Sequence, residues 1–166
     1  MKEAIQTLIT SDKMAHAFEY LKQDEAHTID QQIELVQISS FSPFEEKRAI
    51  RFKELLTEAG LDPVMDEVHN VYAHIHGTGN GPTLYVSAHL DTVFPPETPL
   101  PVKREGTKIY APGIGDDTRG LAEILTLARA IKESGLKPVG DIIIGGNVGE
   151  EGLGDLRGMR HFFSQN

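Results

Sequence analysis

The chain of 166 residues is 39% hydrophobic and 25% charged, carries a formal net charge of -9 and contains no cysteine. Its length supports one domain with a real core, burying roughly two thirds of the unfolded surface, as in an ordinary globular protein. The acidic balance disfavours nucleic acid or an anionic membrane as the main partner, and the lack of cysteine excludes a disulfide framework and thiolate chemistry.

The N-terminus, MKEAIQTLITSDK, lacks the unbroken apolar core of a signal peptide, and no segment is long enough to span a bilayer, so a cytoplasmic protein is expected. The first third reads as helix: Ile5, Leu8, Ile9, Ala15, Phe18 and Leu21 recur at helical steps and make one apolar stripe. A second helix start is expected at Thr28–Gln31, a capping-box pattern, with Ile29, Ile33 and Val36 on its inner face. A third is expected at Ser42, with Pro43 at the first helical position. Its stripe is Ala49, Phe52, Leu55, Leu56 and Ala59, and Gly60 is its left-handed stop.

From Pro63 the period changes to two. Val71, Ala73 and Ile75 alternate with Tyr72, His74 and His76, a half-buried strand. Thr83–Ala88 reads as a buried central strand leading into His89, Leu90 and Asp91, and residues 102–110 read as a hairpin turning near Gly106. A helix follows Asp116–Asp117, with Leu121, Ile124, Leu125, Ala128 and Ile131 inside and Gly135 as its stop. The strand 141–146 and a short amphipathic segment from Asp155 complete the order.

Strand, helix and strand from Thr83 to Gly146 make a βαβ unit with parallel strands. His89 and Glu150 then lie just past the C-terminal ends of two strands, and Asp116 lies just before the connecting helix. All three positions fall on the sheet edge where open α/β folds place their sites. Carboxylates crowded there either stay partly protonated or are neutralised by cations. The imidazole favours metal, because histidine with carboxylates is a donor set suited to zinc. Taken singly each piece has a plainer reading: a loop hydrogen bond for His89 and Asp91, a helix cap for Asp116 and Asp117, a solvated turn for Glu150 and Glu151. Their joint occurrence on one edge argues for a site. His74 and His76 read as exposed strand residues, and His16, His27, His69 and His161 as surface or packing histidines.

The segments SAHLDTV (87–93), GIGDDTRGLA (113–122) and GEEGLGDLRG (149–158) resemble the successive motifs of M20-type zinc metallopeptidases, the family of peptidase T, glutamate carboxypeptidase and acetylornithine deacetylase. The resemblance implies a three-layer α/β fold with a mostly parallel mixed sheet flanked by helices. It implies a zinc-dependent amide-bond hydrolase, acting on a small peptide or an N-acyl amino acid through a metal-bridging water. It also implies roles. His89, Asp116 and Glu151 would be metal ligands, with Asp116 bridging two zinc ions, or cobalt or manganese in their place. Glu150 would be the general base, and Asp91 would orient the His89 ring. Asp117 receives no metal role, and Thr118-Arg119 stands where the family often has a lysine, a departure towards the peptidase T branch.

Family members are longer, with a further acidic ligand, a distant histidine and a lid domain that usually mediates dimerisation. Residues 1–166 are therefore expected to be the N-terminal portion of an M20-like catalytic domain, incomplete at the C-terminus, without the lid and the C-terminal catalytic segment. Sharing Asp116 between two ions leaves each with His89 or Glu151 besides, fewer than a catalytic zinc normally takes. Weak or absent metal binding and little activity are expected of the chain alone, and an uncovered apolar sheet edge invites a homo-oligomer. The rival expectation is a truncated, non-catalytic domain that acts only through association.

Overall fold

The computed structural model describes residues 2–165, apart from the side chain of residue 4. The N-terminal stripe is split between α1 (Lys2–Ile9) and α2 (Asp12–Gln23), because the Ser11 hydroxyl accepts the Met14 N–H at 3.4 Å and starts a new helix. The stripe is largely uncovered: Ile5, Leu8, Ile9 and Phe18 are exposed, and Ala17 is the buried residue of α2.

Helix α3 (Glu25–Val36) begins earlier than its capping-box pattern suggests, with Asp24 at the N-cap. Its buried face is Thr28, Gln31, Gln32, Leu35 and Val36, while the expected Ile29 and Ile33 are only half-buried. The cause is a buried ion pair. Arg129 donates to Asp24 Oδ2 through Nε at 3.0 Å and to Gln31 Oε1 through Nη1 at 2.8 Å, and Thr126 Oγ1 donates to the same Asp24 oxygen at 2.6 Å. A charge pair out of water must have its remaining donors and acceptors satisfied, so polar side chains occupy the inner face.

Burial alone would raise Asp24, but the hydrogen bonds from Arg129 and Thr126 outweigh it and hold the carboxyl below its usual value. A depressed folded-state pKa gives stability that is fully present above the unfolded carboxylate value of about 3.9. That contribution is lost as pH falls through the lower folded value. Urea midpoints measured from pH 5 downwards should therefore fall less steeply in Asp24→Asn than in the wild type; parallel slopes would contradict this.

Helix α4 (Glu46–Glu58) starts later than Ser42, because Phe41–Phe44 close a turn (Phe44 N–H to Phe41 O, 2.6 Å) and Glu45 takes the N-cap position. The expected stripe of Ala49, Phe52, Leu55, Leu56 and Ala59 is buried throughout, and Gly60 (φ 82°) makes the left-handed stop.

The strands are β1 (Val64–Met65), β2 (Val71–Ile75), β3 (Leu84–His89), the hairpin of β4 (Lys103–Glu105) and β5 (Lys108–Tyr110), and β6 (Ile142–Asn147). Helix α5 (Thr118–Ser134) connects β5 to β6, and α6 (Arg157–Gln165) follows a 3₁₀ turn at Gly152–Gly154. The main sheet has the order β1-β2-β6-β3. The strand expected at the centre, β3, is instead at the edge among the described residues, with Leu84 exposed. The central strand is β6, whose IIIGGN run is covered on both sides. The sheet is mixed, but β3–β6 is its parallel pairing, whereas β1–β2 and β2–β6 are antiparallel.

One sheet face carries the core: Phe52, Leu55 and Leu56 of α4 and Leu121 and Leu125 of α5 pack with Val71, Ala88 and Ile144. Gly146 is needed there, since a Cβ would stand 3.0 Å from the Leu90 side chain and 3.1 Å from that of Phe52. On the other face α6 lays Phe162 against Tyr85 (ring centroids 4.3 Å apart, stacked) and edge-on to Tyr72 (5.2 Å). Helices, sheet and helix make the three layers. The C-terminal ends of β3 and β6, paired at His89 and Asn147, define the edge where the site lies.

Candidate metal centre

His89 is the last residue of β3, and its ring lies against the carboxylates around it. Nε2 is 2.9 Å from Asp116 Oδ1, and Nδ1 is 3.1 Å from the Asp91 backbone oxygen and 3.7 Å from Asp91 Oδ1. A ligand atom from each of His89, Asp116 and Glu151 falls within 4.8 Å of the others. The strand end, the loop before α5 and the turn after β6 thus deliver one donor each to a common point.

Asp117 has a separate task. Its Oδ1 accepts the Gly120 N–H at 3.0 Å as the cap of α5, and its Oδ2 accepts the His89 N–H at 3.1 Å. One carboxylate therefore fixes the helix start to the strand end. Asp91 lies fully buried beneath the site. Its Oδ1 accepts the Glu150 N–H at 3.0 Å and its Oδ2 the Glu151 N–H at 2.8 Å. Asp91 therefore shapes the glutamate turn as well as facing the His89 ring. The Glu150 side chain is exposed and stands outside the three-donor group.

The charges act as expected of a crowded crevice. Burial, and then the nearby Asp116 charge, raise Glu151; burial raises Asp117 despite its backbone hydrogen bonds. Burial pulls His89 down, but the Asp116 hydrogen bond and the Asp91 and Asp117 charges outweigh it, so its pKa rises.

The sequence patterns did not single out Arg48 and Asn70, two of the side chains that hold this edge together. Arg48 is 1% exposed, donating through Nη1 to Leu90 O at 2.9 Å and through Nε and Nη2 to Ile38 O at 3.1 and 2.6 Å. Burial lowers its pKa to about 10, with the Asp91 charge opposing the fall, so it stays a cation at neutral pH. Glu45, also buried, pairs with Arg157 Nη2 at 2.8 Å, just beyond the glutamate turn. Asn70 closes that loop at its base: its Oδ1 accepts the Val148 N–H at 3.1 Å and its Nδ2 donates to Gly158 O at 2.9 Å. A signal for α4 existed. Glu45 and Arg48 share the helical phase of Ala49 and Phe52, and charges in an apolar stripe need buried partners. Asn70 had no comparable signal.

The histidines set aside in the sequence lie elsewhere. His74, an exposed residue of β2, and His76, just past its end, stack at 5.9 Å, and His161 Nε2 faces Asp66 and Glu67 at 3.9 and 3.8 Å. Beside Glu151 a pocket of about 550 Å3 is lined by Phe41, Pro43, Val93, Leu153 and Arg157 among others.

Residues 85–165 match the model of peptidase family M20/M25/M40. Carboxypeptidase G2 of Pseudomonas sp. (strain RS-16) is 38% identical over 84 residues, 49% of this chain and 20% of that protein. A putative [LysW]-lysine/[LysW]-ornithine hydrolase of Pyrococcus abyssi is 34% identical over 120 residues, covering 72% of this chain and 32% of its own. Among solved structures, a tripeptidase from Staphylococcus aureus is 31% identical with a TM-score of 0.62, over 76% of this chain and 37% of that one. The chain spans between 20% and 37% of the length of these relatives. No described helix is long and apolar enough to cross a membrane.

Proposed function

From a chain whose residues 85–165 belong to peptidase family M20/M25/M40, we propose a metal-dependent hydrolase of amide bonds, acting on a small peptide or an N-acyl amino acid. The observation that carries this reading is the convergence of His89, Asp116 and Glu151 donors within 4.8 Å of one another. An imidazole and two carboxylates with an open further position make the donor set of a catalytic zinc, with cobalt and manganese as alternatives. A bound divalent ion would supply a Lewis acid for the substrate carbonyl and make a nearby water more acidic.

The chain's own residues do the rest. Asp91 and the Asp117 carboxylate hold His89 so that its Nε2 is presented to the crevice. Glu150, exposed at the rim beside the ligand Glu151, is the general base: it takes a proton from the attacking water and returns it to the leaving amine. The pocket of Val93, Phe41 and Leu153 gives a substrate side chain apolar room next to Glu151.

Three donors within 4.8 Å of one another would suffice for one ion. Zinc titration of the chain, followed by calorimetry, should give a stoichiometry near one. His89→Ala and Glu151→Gln should abolish that binding, whereas Glu150→Gln should leave it intact and remove hydrolysis. Binding that survives His89→Ala would overturn the assignment.

A further inference from the structure

We propose that Arg48 is a positioning residue for the glutamate turn, acting on Glu150 and Glu151 through the Leu90–Asp91 backbone and the buried Asp91 carboxylate. It rests on the reading of this edge as the reacting edge, but its own test does not need a metal.

Arg48 is fully buried, and its three donating nitrogens are fixed to the carbonyls of Leu90 and Ile38. Those bonds seat the guanidinium next to the residue that carries Asp91 and hold the Ile38 end of the loop before α4. Among the described residues Asp91 is the carboxylate whose charge acts on it. Asp91 spends both oxygens on the N–H groups of Glu150 and Glu151. A carboxylate fully out of water is stable as an anion only beside a compensating charge. The guanidinium on α4 thus seats the backbone that carries Asp91, and the Asp91 carboxylate holds both glutamate N–H groups. Glu45, one turn earlier on the same face, grips the far side of the turn through Arg157 at 2.8 Å. The first turn of α4 therefore braces the loop from two directions, although it carries no residue of the metal centre.

The test is residue-resolved amide exchange on the whole chain, with Arg48→Gln, which keeps donors but drops the charge, and Arg48→Lys, which keeps the charge. The Glu150 and Glu151 amides should exchange at least about tenfold faster in Arg48→Gln relative to the Ile143 and Ile144 amides of β6, and return towards wild type in Arg48→Lys. A uniform change across the sheet, or none at the glutamates, overturns the proposal. Should Arg48→Gln be too unstable to measure, Arg48→Lys decides alone: wild-type protection of both amides supports a charge role, and selective loss refutes it. Zinc affinity separates the two readings. If the wild type binds zinc, Arg48→Gln should weaken it about 10–100-fold. If it binds none, the metal centre falls while the exchange result still judges Arg48.

Discussion

Replacing Asp91 with asparagine is expected to cost about 1–3 kcal/mol of stability, the range for leaving a buried donor without its partner. Metal affinity should fall about 10–100-fold with it, as when a group behind a ligand is lost. Both numbers follow from the same atoms. Asp91 is 0% exposed, and each of its oxygens accepts one backbone N–H, from Glu150 at 3.0 Å and from Glu151 at 2.8 Å. Asparagine offers one acceptor and sets a donor against the other N–H, leaving a buried clash of donors. Urea unfolding and chelator competition measure the two effects. A loss below about 0.5 kcal/mol with unchanged affinity would overturn this account.

Asn70→Ala should cost about 2–3 kcal/mol, because a buried unpaired donor costs about 1–3 kcal/mol and this change strands the Val148 N–H and empties a buried site. The Val148 N–H loses its partner, the Gly158 carbonyl keeps only its bond within α6, and the fully buried side chain leaves a void. The remaining tie, Gly158 N–H to Val148 O at 2.9 Å, closes the loop less firmly. Limited proteolysis should then cut faster at exposed Leu153, near the tip of the loop. Stability within about 0.5 kcal/mol of wild type, with no change in cleavage, would count against this account.

Much of the site was legible because its chemistry is carried by side-chain types that are costly to place together. Strand-end logic put His89, Asp116 and Glu150 on one edge, the family resemblance implied Glu151 as a ligand, and donors of His89, Asp116 and Glu151 lie within 4.8 Å of one another. The stripes of α4 and α5 were legible for the same reason that they pack: their apolar residues keep a strict helical phase. The failures have physical causes. The face of α3 was misassigned because Asp24 and Arg129 pull glutamines inward, a long-range electrostatic demand that periodicity does not express. Strand β3 read as central because TLYVSA is apolar, yet strand order depends on where β6 inserts. The Asp91 bonds to the glutamate backbones depend on tertiary placement, so the turn's real support was hidden until the loops were seen together.

The Asp24–Arg129 pair also sets a timetable. Its members are separated by 105 residues of chain. At a synthesis rate of about 5–20 residues per second, α2 and α3 are made some 5–20 s before their cation exists. Until then Asp24 lacks its buried cation, and the inner face of α3 has only its Leu35 contact with α4 to pack on. The N-terminal helices thus complete their docking only once α5 has been made.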